Sequence, residues 1–192
     1  MGLYIMKKNI LILLLFACAI ACKAQIYPLR TYGVTFPKDS YVKDTDNELP
    51  AYEGSWKGSW DNKTIVIYFQ KVKAYFNHLE KTPYYIDVLK GKFIVFDPTG
   101  NILFDNSMVA DADAKIEGSG FKKKDGKYLL SYSDPDICGL NGFIEIYFTD
   151  STKTKLHWQY SEGDNMITSS CPFYNSNPFP EPLPKEIVLT KQ

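Results

Sequence analysis

From Gly54 onward the chain alternates apolar and polar side chains, the period-2 signature of half-buried strands. The stretch FIEIYF shows it plainly: Ile144, Ile146 and Phe148 fall on one face, Phe143, Glu145 and Tyr147 on the other. The pattern predicts strands over Trp56–Trp60, Lys63–Tyr75, Tyr84–Phe96, Ile102–Phe104, Ala114–Lys123, Lys127–Ser133, Asn141–Thr149, Lys155–Tyr160 and Lys185–Lys191. Turn chemistry separates them. Asp97-Pro98-Thr99-Gly100-Asn101 supplies a proline with preset φ and a glycine for the left-handed position. Asp125-Gly126 is a hairpin signal, and Ser151-Thr152-Lys153 links another pair. Sequential hairpins around one core predict an all-β, single-domain antiparallel meander of about nine strands. The architecture expected is a lipocalin-like barrel, with a two-sheet β-sandwich as the alternative.

One register follows from the alternation. Ile144, Ile146 and Phe148 share a core with Leu156, Trp158 and Tyr160 if Phe148 pairs with Leu156, Ile146 with Trp158 and Ile144 with Tyr160. That pairing needs an odd loop, and it turns Glu145 to the outer face. Trp158 is then an interior tryptophan, and Tyr160 offers its hydroxyl to a buried partner or a ligand.

Two stretches break the pattern. Ile26–Tyr52 is turn-rich, with Pro28, Pro37 and Pro50, and reads as part of an extended N-terminal tether, 22–52, ahead of the barrel-like domain, 53–192. Pro172, Pro178, Pro180, Pro182 and Pro184 exclude helix and central strand, so this segment is expected as an extended surface strap.

The head of the chain is different again. Lys7 and Lys8 precede the apolar run Ile10–Ala21, too short for the roughly 20 residues of a membrane-spanning helix. A basic start, an apolar run and small residues fit an export signal, 1–21. Ala19-Ile20-Ala21-Cys22 resembles a bacterial lipobox, which makes Cys22 the expected lipidation site and only membrane anchor, although Ala19 stands where leucine is usual. The competing outcome is cleavage after Ala24, leaving Gln25 first and the protein soluble in the periplasm or secreted.

Removal of the signal leaves about 170 residues, enough for one domain with a real core. The 22 basic and 22 acidic residues balance and form no basic patch, so nucleic acid is not an expected partner. Beyond Cys18 and Cys22 only Cys138 and Cys171 remain, and an exported chain matures where such a pair bonds.

Candidate chemistry is sparse. Trp56 and Trp60 lie on one side of a strand and form a candidate ligand platform, with Trp158 and Tyr160 as further candidates inside the barrel. His78 and His157 are the only histidines, and nothing local orients either as a base. The cluster Asp44-Thr45-Asp46-Asn47-Glu48 lacks the glycine and distant glutamate of a calcium loop, so it reads as a solvated turn, like Asp111-Ala112-Asp113 and Asp134-Pro135-Asp136. No catalytic residue, metal ligand or cofactor site is assigned.

Two resemblances add to this. Gly54-Ser55-Trp56 resembles the Gly-x-Trp of lipocalin-like barrels, whose tryptophan plugs the closed end beneath an arginine of the last strand; here Lys185 or Lys191 would substitute. The stretches CKAQ, YPLRTY, NELPAYEGSWKGSW, DPDICG and FPEPLPKEIVLTKQ are similar to a family of uncharacterised exported proteins of flavobacteria and related bacteria. That resemblance implies a cell-envelope protein and carries no activity with it. The segment after Cys22 lacks an acidic run, which favours the periplasmic side. The expected function is therefore a non-catalytic envelope module that binds a small apolar or aromatic ligand or a protein partner. The alternative is a hydrolase of envelope polymers.

Overall fold

A computed structural model describes residues 25–77 and 82–192. The export signal, Cys22 and His78 lie outside the described residues. The strands are β1 (Ile26–Pro28), β2 (Tyr41–Lys43), β3 (Gly54–Trp60), β4 (Lys63–Phe76), β5 (Tyr84–Phe96), β6 (Ile102–Asp105), β7 (Ile116–Phe121), β8 (Tyr128–Asp134), β9 (Leu140–Phe148), β10 (Lys155–Glu162) and β11 (Glu186–Lys191).

Eight of them close an antiparallel barrel in the order β3-β4-β5-β7-β8-β9-β10-β11. The seam from last strand to first pairs Thr190 with Lys57 and Lys191 with Trp56. The other closure pairs Lys90 with Glu117 and Gly91 with Ile116. A Cβ on Gly91 would stand 2.8 Å from a Phe69 ring carbon and 2.9 Å from Ile116 Cβ, so this crossing needs glycine. With both seams paired the wall is a barrel and not a sandwich.

The strand count exceeds the nine expected, because β5 is longer than the wall requires. One edge of β5 pairs with β4 along its whole length. The other edge pairs in turn with β2 at Tyr85 and Ile86, with β7, and with β6 at its far end. Within the stretch assigned to the tether, β1 and β2 extend this sheet and a 3₁₀ turn covers Leu49–Ala51. Leu29, Val42, Leu49 and Tyr52 from it are buried in the core, so this stretch belongs to the folded body from Ile26 onward.

The interior is filled by side chains. Trp56, Trp158, Tyr128, Tyr132, Phe93 and Leu130 are among its largest fully buried residues. Rings run through it in contact: Tyr52 stacks on Phe148 at 4.4 Å, Phe121 meets Tyr128 at 4.8 Å, and Tyr132 meets Tyr160 at 5.7 Å. Each fully buried large apolar side chain contributes about 1.5–3 kcal/mol. Several buried polar ends find partners within the fold. Trp56 donates to the Tyr52 carbonyl at 2.7 Å, Trp158 to the Pro184 carbonyl at 3.0 Å and Tyr132 to Asp134 at 2.8 Å.

Candidate functional site

Strand direction sorts the connections into two ends. At one end lie the β4–β5 connection, the start of β3 and the end of β11; at the other lie the β8–β9 turn and the long excursion from β10 to β11. This excursion, 163–185, builds one side of a concavity at the rim. It cannot be regular because of its prolines, so it folds back over the barrel rim instead. Leu183 and Cys171 are buried, and Cys171 is joined to Cys138 of the β8–β9 turn with α-carbons 5.7 Å apart.

Between excursion and rim is a cleft of about 780 Å³, lined by Leu140, Glu162, Asp164, Asn165, Tyr174 and Phe179 among others. A recess of about 80 Å³ beside it is lined by Tyr160, Phe179, Leu183 and Lys185. The cleft volume lies in the range of small-molecule sites, about 300–1,000 Å³. Asn165 organises the floor. Its Oδ1 accepts from the Asn141 backbone N–H at 2.9 Å and from Asn141 Nδ2 at 2.8 Å, while its Nδ2 donates to Glu162 at 3.2 Å. Lys185 donates to the other Glu162 oxygen at 2.6 Å. That bond, against some burial, holds the Glu162 carboxyl below the usual range, so it is ionised at neutral pH. Burial pushes the Tyr160 phenol up, with Glu162 adding to the effect.

The four aromatic candidates separate. Trp56 and Trp158 are fully buried in the core. They are packing residues, because the strand that presents each turns it inward into the core, Trp56 against Phe148 at 6.2 Å and Trp158 with its N–H on the Pro184 carbonyl. Trp60 is half-buried against the core with the Lys63 ammonium 5.5 Å from its ring, so it does not pair with Trp56 as an open platform. Tyr160 alone reaches the cleft, at its recess, and its hydroxyl donates to the Asn141 carbonyl at 3.1 Å. Of the two lysines considered for the last-strand role, Lys191 lies over Trp56, at 5.3 Å.

The acidic clusters are not uniformly solvated. Asp44 is buried and accepts from the backbone N–H groups of Glu48 and Leu49 and from Lys71 at 3.3 Å. Asp134 is buried against Lys115 at 2.6 Å and Tyr132. His157 is also mostly covered, stacked on Tyr147 at 4.6 Å and 2.9 Å from Glu186. Glu145 does face outward, between Lys122 and Lys127. Among the described residues no group of three or more His, Cys, Asp or Glu side chains is placed to hold a metal ion.

Sequence reasoning did not single out Glu162, Asp164, Asn165, Tyr174 or Phe179. Glu162 ends β10 and the others sit in the irregular chain that follows it, brought together only through the fold, and no local spacing marks them.

The molecule is thus a closed, side-chain-filled up-and-down β-barrel with a disulfide-anchored cleft at one rim. The chain belongs to a family of unknown function (DUF6705), whose family model matches residues 6–192. No curated protein and no solved structure matches it. The disulfide places the folded domain in an oxidising, extracytoplasmic compartment. Among the described residues no helix is long and apolar enough to cross a membrane.

Proposed function

We propose that the mature protein is a lipid-anchored module of the bacterial envelope, facing the periplasm, that binds a small ligand at its rim cleft and not inside its barrel. One observation carries this reading: Tyr174 and Phe179 line the same cleft as Glu162, Asp164 and Asn165. Flat rings beside hydrogen-bonding groups suit a small ligand with an apolar or aromatic face and polar substituents. Export through the signal 1–21 and lipidation at Cys22 supply the location. Thermal-shift and ligand-observed NMR screens with envelope saccharides, aromatic acids and fatty acids test the binding. A hit should be lost in Tyr174→Ala and Phe179→Ala, and a hit that survives both substitutions would place binding elsewhere. Mass spectrometry of the protein from its native host tests the anchor: acylated Cys22 supports it, and an unmodified terminus at Gln25 overturns it.

The second reading is a hydrolase of envelope polymers, and the same cleft favours it. Glycoside hydrolysis uses one protonated and one ionised carboxyl group. Glu162 is held ionised by Lys185, and Asp164 lines the same cleft. Release of soluble fragments from isolated peptidoglycan or envelope polysaccharide, abolished in Glu162→Gln, would establish hydrolysis over simple binding.

A further inference from the structure

At the end of the barrel opposite the cleft, four residues far apart in sequence form one row across four strands. Ile26 of β1 is paired with Tyr41 of β2, Tyr41 with Tyr85 of β5, and Tyr85 with Tyr75 of β4. Direct partners share a face of a sheet, so all four side chains stand on one side. Ile26 is 56% exposed and Tyr75 49% exposed. The Tyr75 and Tyr85 rings are 5.0 Å apart. The exposed Lys73 ammonium lies 4.3 Å from the centroids of both Tyr41 and Tyr85. The Tyr41 hydroxyl donates to the buried Asp87, whose charge also faces Lys71 at 4.0 Å and the Asp44 backbone N–H. The carboxylate beneath the row is therefore compensated, and Lys73 remains the outward charge.

The row stands on a projection. β3 begins at Gly54, opposite Phe69 of β4. Tyr75 lies six residues further along β4, roughly 20 Å of strand length at about 3.3 Å per residue. The folded chain starts in the same place: Gln25 accepts from the Tyr41 N–H through its backbone oxygen, and Ile26 is itself a member of the row. Cys22 precedes Gln25 by three residues, at most about 11 Å of extended chain.

We propose that this Ile26–Tyr41–Tyr85–Tyr75 face, with Lys73, is a membrane-contact surface that rests in the headgroup layer of the bilayer holding the anchor. The inference rests on lipidation at Cys22. A tether this short keeps the row at the bilayer surface. Tyrosine suits that boundary, with an apolar ring and a polar tip, and lysine reaches the phosphates while its stem covers apolar surface. Contact at this end points the cleft away from the membrane, toward the periplasm.

The test places an environment-sensitive fluorophore on Tyr75→Cys, with Phe143→Cys on the outer wall as the control. Two forms are used: acylated protein in phosphatidylethanolamine–phosphatidylglycerol vesicles, and residues 25–192 held on nickel-chelating lipid in the same vesicles by an N-terminal hexahistidine tag. The second form keeps every described residue and does not depend on Cys22. The label at 75 should shift to the blue and be quenched by spin-labelled lipid, the label at 143 should do neither, and Lys73→Glu should reduce the quenching. Unlabelled protein gives a second readout: spin-labelled lipid should broaden the ring resonances of Tyr75 and Tyr85 selectively. If the tethered form gives no contact at 75, or equal contact at 75 and 143, the surface is overturned. A label at 75 that answers to isolated cell-wall glycan and not to vesicles overturns it as well. Contact in the tethered form with no acyl group on Cys22 upholds the surface and refutes the native anchor.

Discussion

Lys191 lies over Trp56 with its ammonium 5.3 Å from the ring, and it donates to the Ala51 carbonyl at 2.9 Å. The last strand is thereby fastened to the first strand of the barrel and to the 3₁₀ turn that precedes it. A cation over an indole contributes about 0.5–2 kcal/mol and a hydrogen bond about 1 kcal/mol. Lys191→Met keeps the stem and removes both, and should cost about 1–2 kcal/mol in chemical denaturation. Lys191→Arg should stay close to the parent.

Trp158 is fully buried opposite Ile146. Titration with a fatty acid or an aromatic apolar ligand should leave its emission unchanged. A ligand-dependent change that disappears in Trp158→Phe would show a hollow barrel. Trp158→Ala should cost about 3–5 kcal/mol as a cavity opens and the Pro184 carbonyl loses its donor.

The Cys138–Cys171 bond closes a separation of 33 residues. By the chain-entropy model its loss costs about 3–4 kcal/mol, or on the order of 10 °C in Tm for a domain of this size. Calorimetry of a Cys138→Ser/Cys171→Ser double variant checks this. The barrel should survive, while hydrogen exchange in 163–185 rises, because the excursion is tied down there and the wall is not.

Gly142 on β9 faces β10 at very close range. A Cβ there would stand 2.4 Å from the Ser161 backbone oxygen and 2.5 Å from a Tyr160 ring carbon. Gly142→Ala must push the strands apart beside the cleft and should cost about 1–3 kcal/mol. Denaturant unfolding measures it, and a neutral result would mean that β9 and β10 separate there without cost.

Glu162 has a carboxyl held below its ordinary range by the Lys185 hydrogen bond first, then by the Lys185 charge and Asn165. Unfolded, it titrates near about 4.3. The folded value is the lower one, so its contribution to stability is complete above that pH and is lost as pH falls through the depressed folded value. Carboxyl NMR should show Glu162 titrating low in the parent and moving up in Lys185→Ala. A Glu162 that titrates unchanged in Lys185→Ala would remove Lys185 from this role.

What the sequence settled by itself is what alternation and turn chemistry encode locally. β5 matches its predicted span, Tyr84–Phe96, and Asp97 accepts from Thr99 and Asn101 in the turn that follows. The β9–β10 register pairs Phe148 with Leu156, Ile146 with Trp158 and Ile144 with Tyr160. A side chain's face repeats every second residue whatever lies across the sheet, and one wrong step would have put Glu145 inside. Partner choice between distant strands has no such local signal. The β5–β7 closure, the addition of β1 and β2 to β5 and the burial of Asp44 depend on how a long strand divides its free edge among three neighbours. Asp44 looks solvated in its acidic run, and only the fold delivers the Glu48 and Leu49 N–H groups and Lys71 to it. The cleft joins Leu140 to Phe179, and the tyrosine row joins positions 26, 41, 75 and 85. Neither follows from spacing along the chain: pairing across the sheet makes the row, and the disulfide-tied excursion folded over the rim makes the cleft.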